Sequence, residues 1–228
     1  SCNVYFYHIG GGFNNQKGLG PQKIKQYLSL FGWDKKTGID LPGEKSGFLP
    51  DPEWKKEKLG SFWFDGDTYN LSIGQGYLKV TPIEVAVSFL PFANDGKIFR
   101  PKLAKAIVDS EKNVLKEFPP EVEKENFIKK EYLQIVKEGM RQAVTDGTAT
   151  GWLDSLPVKA AAKTGSAQIG KKDWRDGKDY LDTWIVTFAP YEDPQILLLI
   201  FIKEVKEGQP TVLPVAKSVL EWYFSQQK

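Results

Sequence analysis

The sequence predicts an α+β fold: an antiparallel sheet with helices on both faces and a mostly helical lobe before it. Three observations carry this. Helix-period stretches with start and stop signals occur before residue 150. Three strand candidates follow one another over residues 158–202, and a last amphipathic stretch closes the chain. The expected division is therefore at residue 150, with 1–150 a mostly helical lobe with Gly-rich loops and 151–228 the strands and C-terminal helix. Both belong to one domain, since 228 residues suffice to bury a single core.

Each element has a local reason. Gly20-Pro21 opens a helix, because proline fits the first helical position, and Ile24, Tyr27, Leu28 and Phe31 repeat at helical spacing before Gly32 ends it. Residues 33–79 are rich in Gly, Pro, Trp and Asp without long periodicity and read as a loop-dominated excursion. Thr81-Pro82-Ile83-Glu84 is a capping box that starts a helix running to about Ala93, and Asn94-Asp95-Gly96 turns the chain. Short strands are expected over 98–118, with Pro119-Pro120 as a stop. Leu133, Val136, Met140, Ala143 and Val144 make 130–145 an amphipathic helix, broken by Asp146-Gly147. The strand candidates are 158–163, 182–189 with Trp184, Val186 and Phe188 on one face, and 196–202. The last is apolar on both faces, which predicts a central strand. Asp193-Pro194 suits a tight antiparallel connection, and 213–226 forms a helix with Val215, Val219, Leu220 and Tyr223 inward.

Composition excludes several functions. With 31 basic and 29 acidic side chains the net charge is +2, too balanced for a nucleic-acid or anionic-membrane binder. One cysteine rules out an internal disulfide, and one cysteine with one histidine supplies almost no soft ligands for a self-contained zinc site. A Ser-His-Asp mechanism would rest on His8, in a Tyr5-Phe6-Tyr7 stretch that reads as core, so a lysine-based mechanism suits the composition better. The apolar run 196–202 falls far short of the ~20 residues that cross a bilayer. Gly10-Gly11-Gly12 and Gly74-Gln75-Gly76 do not complete a phosphate-binding pattern. No glycosidase carboxylate pair can be singled out, and the dispersed tryptophans read as core rather than as a carbohydrate platform.

The residues that carry chemistry stand far apart. Lys163-Thr164-Gly165-Ser166 closes the small-residue run 158–162, and the chain opens on Ser1-Cys2-Asn3. Lys163 offers a cation able to bind a substrate carboxylate or tune a proton relay. The hydroxyls of Thr164 and Ser166 could anchor the same carboxylate, and Gly165 lets another element approach. The Ser166 N–H could donate to a developing oxyanion. Ser1 could shuttle a proton, and the Asn3 amide could hold the acyl amide of a substrate. Ser-x-Asn followed by Lys-Thr-Gly is two thirds of a known motif set of serine acyltransferases, whose third member, Ser-x-x-Lys, carries the nucleophile and precedes the other two. It is not found ahead of Ser1, and position 1 is not Met, so a processed, cleaved or truncated polypeptide is expected.

With these motifs the chain resembles the transpeptidase domain of class B penicillin-binding proteins, the elongation type (penicillin-binding protein 2) more than the division type. The matching segments run in family order along nearly the whole chain: Ser1-Cys2-Asn3, Gly38-Ile39-Asp40-Leu41-Pro42-Gly43-Glu44, Ser46-Gly47, Pro52-Glu53-Trp54-Lys55, Gly66-Asp67-Thr68, Ser72-Ile73-Gly74-Gln75-Gly76, Val80-Thr81-Pro82, Asp146-Gly147-Thr148-Ala149, residues 163–168 and Phe188-Ala189-Pro190. The resemblance implies a penicillin-binding, transpeptidase-like fold, incomplete here at the N-terminus, and a D,D-transpeptidase that cross-links peptidoglycan stem peptides through a serine acyl-enzyme and is trapped by β-lactams. It implies Ser1 and Asn3 as the second motif, Lys163, Thr164 and Gly165 as the third, and the Ser166 N–H as half of the oxyanion hole.

It further implies cell-wall elongation proteins as partners, the upstream segment of the parent chain as a necessary complement, and no nucleic acid. The expected location is the outer face of the bacterial cytoplasmic membrane, with the anchor not in this chain. No cofactor is expected to be required. Some relatives bind a structural zinc through a cysteine at the position of Cys2, although an ordinary buried cysteine is the favoured expectation here. The chain alone is expected to be inactive, its nucleophile lying upstream. The alternatives are a class D-like β-lactamase, and a non-catalytic β-lactam sensor or scaffold.

Overall fold

In the computed structural model, which describes residues 2–226, the elements in chain order are α1 (Asn3–Gly11), β1 (Gly12–Phe13), β2 (Gln16–Lys17), α2 (Gly20–Leu30), α3 (Pro52–Leu59), α4 (Asp65–Ser72), α5 (Pro82–Ala93), β3 (Ile98–Phe99), β4 (Ala106–Val108), β5 (Val114–Glu117), β6 (Val122–Lys124), α6 (Lys130–Thr145), β7 (Ala161–Lys172), β8 (Asp179–Ala189), β9 (Ile196–Lys206) and α7 (Val212–Ser225). They fall into two units, Ser1–Ser88 with Arg100–Glu121, and Phe89–Phe99 with Val122–Lys228. The boundary expected at residue 150 thus moves: α6 belongs with the sheet, because Met140 and Val144 pack into its two cores. No described helix is long and apolar enough to cross a membrane.

The second unit is built on the antiparallel sheet β7-β8-β9. Side chains alternate faces, and directly paired residues share one. Ala162 pairs with Thr187 and Thr187 with Leu198, and this face packs against Val212, Ala216, Leu220 and Phe224 of α7. Ala161 pairs with Phe188 and Phe188 with Leu197, and this opposite face packs against Met140 of α6 together with Phe89 and Phe92. Helices therefore cover both faces, as the sequence predicted. Ala160, Ala161 and Ala162 are fully buried, and their small side chains let the covering elements approach the start of β7.

Three expectations need correction here. The inward stripe of α7 repeats every fourth residue at 212, 216, 220 and 224, leaving Val215 exposed; choosing the bulkier residues hid the role of Ala216. Among the described residues β9 is an edge strand and β8 the central one. Apolarity on both faces reports cover above and below, not a neighbour on each side. All three strands also run past their expected ends, to Lys172, from Asp179 and to Lys206, where polar residues continue the ladder without an apolar pattern.

In the first unit α1, α2 and α4 pack together. A Cβ at Gly10 would lie 1.7 Å from Ser72 Oγ, and one at Gly11 would lie 2.1 Å from the Tyr69 ring. The glycine run that opens the chain is thus a helix-packing surface. The excursion expected over 33–79 contains α3 and α4, each eight residues long. Neither carries an apolar stripe, so periodicity missed them, although Asp51-Pro52 is a start signal: Asp51 accepts from the Trp54 N–H at 2.8 Å and pairs with Lys25. Within this unit the resembling segments are joined by polar contacts. Lys55 Nζ meets Asp67 Oδ2 at 2.6 Å with Lys55 buried, Glu44 accepts from Thr37 N–H at 2.6 Å and Gly38 N–H at 3.1 Å, and buried Glu84 accepts from Gly47 N–H at 2.5 Å and Thr81 N–H at 2.7 Å. The last contact is half of the predicted capping box, and Glu84 N–H to Thr81 Oγ1 at 3.3 Å is the other half.

Candidate active site

Lys163, Thr164, Gly165 and Ser166 all lie on β7, whose only strand partner among the described residues is β8. In a strand, the N–H and C=O of one residue point to the same side and successive residues alternate. Lys159 C=O accepts from Tyr191 N–H at 2.8 Å, just beyond the end of β8, whereas Ala160 C=O accepts from the Arg141 guanidinium at 2.7 Å on the other side. β7 and β8 hold register from Ala161 through Gln168. The alternation therefore carries through: Thr164 C=O and Ser166 N–H face the free edge of the sheet. The Lys163 ammonium donates to the Thr164 carbonyl at that edge.

The same alternation separates the side chains. Lys163 and Gly165 share a face with Val186 and Trp184, while Thr164 and Ser166 share the opposite face with Ile185 and Thr183. A substrate carboxylate can meet Lys163 and the hydroxyls together only around the strand edge, so the site is an edge rather than a face. Lys163 is exposed as a residue, yet crowding at its ammonium end desolvates the charge and lowers its pKa, so a larger fraction of the amine is neutral at a given pH and available to take a proton. An added Cβ at Gly165 would meet the Trp184 Cβ at 3.5 Å, an ordinary contact, so the sheet itself does not demand glycine there.

Thr148 is a residue that sequence reasoning gave no role. Its hydroxyl lies 2.8 Å from that of Thr164 and fixes the Thr164 rotamer. A hollow of about 220 Å³ beside the strand is lined by the hydroxyl-bearing residues Thr148, Thr164, Ser166, Thr183 and Thr211 among others. The signal was present in Asp146-Gly147-Thr148-Ala149, read as a helix stop and as a resembling segment but with no role for Thr148. Asn3 begins α1 in the other unit and is exposed; Ser1 lies outside the described residues. Cys2 is exposed, which corrects the expectation of a buried cysteine: as the N-cap of α1 it has no core to enter. No group of three or more His, Cys, Asp or Glu side chains able to hold a metal forms among the described residues, so these residues do not complete a zinc site at Cys2. His8 stacks on Phe13 at 4.4 Å, the structural role expected for it, but Tyr5 and Phe6 beside it are exposed rather than core. The sequence holds one Ser-x-x-Lys, Ser225-Gln226-Gln227-Lys228, which follows Lys-Thr-Gly instead of preceding Ser-x-Asn, and whose lysine lies outside the described residues.

Comparison with known proteins agrees with this geometry. The family model described as penicillin binding protein transpeptidase domain matches residues 1–221, and the chain belongs to that family. The peptidoglycan D,D-transpeptidase MrdA of Escherichia coli K12 is 30% identical over 233 residues, covering 97% of this chain and 35% of that protein. Penicillin-binding protein 2A of Bacillus subtilis is 32% identical over 213 residues, covering 88% of this chain and 28% of that protein. Among solved structures, the penicillin-binding protein PBP2 of Helicobacter pylori in complex with MreC superposes with a TM-score of 0.76 at 27% identity, over 99% of this chain and 38% of that one. These relatives place the chain with the class B, PBP2 type, and it spans about a third of the length of the curated relatives it matches.

Proposed function

We propose that this chain is the C-terminal part of the transpeptidase domain of a peptidoglycan D,D-transpeptidase of the elongation type. The observation that carries the reading is the free edge of β7, which turns the Ser166 N–H and the Thr164 carbonyl outward beside Lys163. A stem peptide laid along that edge would place its terminal carboxylate near Lys163 and Thr164 and the carbonyl of the penultimate D-alanine near the Ser166 N–H. The serine of an upstream Ser-x-x-Lys attacks that carbonyl, and the oxyanion forms against the Ser166 N–H. The carbon–nitrogen bond to the terminal D-alanine then breaks, the departing amine taking a proton. An acceptor amine attacks the resulting ester, forms the cross-link and returns the proton to the serine. Lys163, with its lowered pKa, and Ser1 belong to the proton relay, and Asn3 holds the acyl amide. A β-lactam enters as a mimic of the D-alanyl-D-alanine end.

Cell-wall elongation proteins are the proposed partners, supported by the MreC complex of the Helicobacter pylori relative and by a relative within a peptidoglycan synthase complex. The outer face of the bacterial cytoplasmic membrane is the proposed location. No observation favours the β-lactamase or sensor alternatives, and no cofactor is assigned. The test is intact-mass spectrometry after incubation with a labelled penicillin, on the 228-residue chain alone and on the longer protein carrying it. The expected result is no adduct on the chain alone and one on a serine preceding Ser1 in the longer protein. An adduct on a serine of this chain, or none on either species, overturns the reading.

A further inference from the structure

The strand that carries the site continues beyond it. β7 runs on to Lys172 and the chain returns as β8 at Asp179, so a hairpin arm extends past Ser166. Its tip, residues 173–178, is tied down closely. Asp173 N–H donates to Lys178 C=O at 2.8 Å, Gly177 N–H to Asp173 C=O at 2.9 Å, and Arg175 N–H to Asp173 Oδ1 at 2.8 Å. From β9, Lys206 Nζ reaches Asp176 at 2.9 Å and Asp173 at 3.0 Å. On this pinned turn Trp174 is 86% exposed, more than any other large apolar side chain described. The Arg175 guanidinium lies 5.1 Å from the centre of its ring, covering one face and leaving the other to solvent.

Singly exposed apolar residues are ordinary on protein surfaces; this one is held on a turn fixed by two ion pairs and a set of backbone hydrogen bonds, so its ring is presented in one place. The surrounding charges limit what the tip binds. Lys171 pairs with Glu204 at 2.5 Å, Lys172 with Asp179 at 3.7 Å, and Lys206 with the two aspartates, which leaves Arg175 and Lys178 as the tip's cations outside these pairs, too few to hold a polyanion or an anionic bilayer strongly. An open indole face beside a guanidinium fits a pyranose ring, whose C–H face stacks on the aromatic and whose hydroxyl or acetamido oxygens accept from the cation.

The position along the strand supports a particular sugar, and this step rests on the proposed function. With the substrate carboxylate near Thr164 and the reacting carbonyl near the Ser166 N–H, the peptide runs antiparallel to β7, its N-terminal end toward Lys172. Six residues of strand span roughly 20 Å. Four extended residues of a stem peptide with the lactyl linkage to its sugar span roughly 15–20 Å. We infer that the Trp174–Arg175 tip is a subsite for the amino sugar that carries the donor stem peptide, so that one strand edge reads both the peptide end and the glycan to which it is attached.

The test compares a disaccharide-pentapeptide with the same free pentapeptide, using calorimetric affinity and the NMR shift of the Ser166 amide. The sugar-bearing ligand is expected to bind about tenfold more tightly to the parent sequence. Trp174→Ala is expected to erase that advantage without changing pentapeptide affinity, and Trp174→Phe to keep most of it. Because Trp174 is almost wholly in solvent, these substitutions leave the fold intact. If the pentapeptide shifts the Ser166 amide but the sugar adds no affinity, or the advantage survives in Trp174→Ala, the subsite is wrong and the proposed function stands. If neither ligand shifts the Ser166 amide, the proposed function and the subsite that rests on it both fail.

Discussion

The side chains fully withdrawn from solvent in the sheet unit are almost all apolar, with Phe188, Leu153, Ile185 and Leu220 among the largest, whereas the buried positions of the helical unit include Lys55, Thr68, Glu84 and Ser88. One region is held by area removed from water, the other in good part by specific charged and polar pairs. The two kinds of cohesion fail differently. A lost ring in a dry core leaves a cavity; a lost partner in a buried pair leaves an unmatched charge.

The most direct way to break the contrast is to damage each region in its own terms. Phe188→Ala should cost about 3–5 kcal/mol in urea-midpoint measurements, because a ring packed between Met140 and Ala161 leaves a void the sheet cannot close. Lys55→Met should cost about 3 kcal/mol by stranding the Asp67 carboxylate, and the double change Lys55→Met with Asp67→Leu should recover most of it. If the double change were as damaging as the single one, the pair would not be the source of the cohesion.

Acid sharpens the comparison with a smaller effect. Burial would raise the pKa of Asp67, Asp51 and Glu44, but hydrogen bonds outweigh it and hold all three below the usual carboxylate range: from Lys55 and Phe64 N–H, from Lys25 and Trp54 N–H, and from Thr37 and Gly38. A depressed carboxylate contributes stability above its unfolded pKa of about 4, and that contribution is lost as pH falls through the folded value. In the sheet unit the depressed carboxylates, such as Asp173 and Glu204, lie at the surface, where solvent screens them. The opposite sign appears at Lys206, which Asp176 and Asp173 push up to about 12, so its contribution is fully present below about 10.5 and is lost as pH rises from there through about 12. Hydrogen-exchange protection should therefore fall between pH 5 and 3 over residues 37–67 before it falls over 183–189. Simultaneous loss would mean the two regions share one source of stability.

The same division explains what the sequence could reveal. Helix α6 appears at 130–145 as its apolar stripe predicts, and α5 begins at the capping box of Thr81 and Glu84. The sheet and its covering helices were legible because burial imprints periodicity. Helices α1, α3 and α4 were not, because their partners are glycine clearances and ion pairs such as Lys55–Asp67, which leave no period in the chain. At the site, Lys163 through Ser166 occupy one strand, although the expected strand ended at Lys163, and the pleat sends Lys163 and Thr164 to opposite faces, which a linear motif does not display. Thr148 was hidden for a related reason: its 2.8 Å contact with Thr164 joins positions sixteen residues apart, with a run of turns and the start of β7 between them. Trp174 was assigned to the core by type, yet it is the most exposed large apolar side chain described, because the ion pairs of a polar hairpin hold it there.

The central claim is that the outward N–H of Ser166, on the free edge of β7, receives the oxyanion. Ser166→Pro removes that N–H and no ladder hydrogen bond to β8, a change that edge strands accept. Measured as the penicillin acylation rate of the longer protein that carries this chain, the substitution should slow acylation about 10²–10³-fold while the melting temperature stays close to that of the parent. Acylation at the parental rate by a folded Ser166→Pro protein would contradict the assignment of the edge as the reacting site.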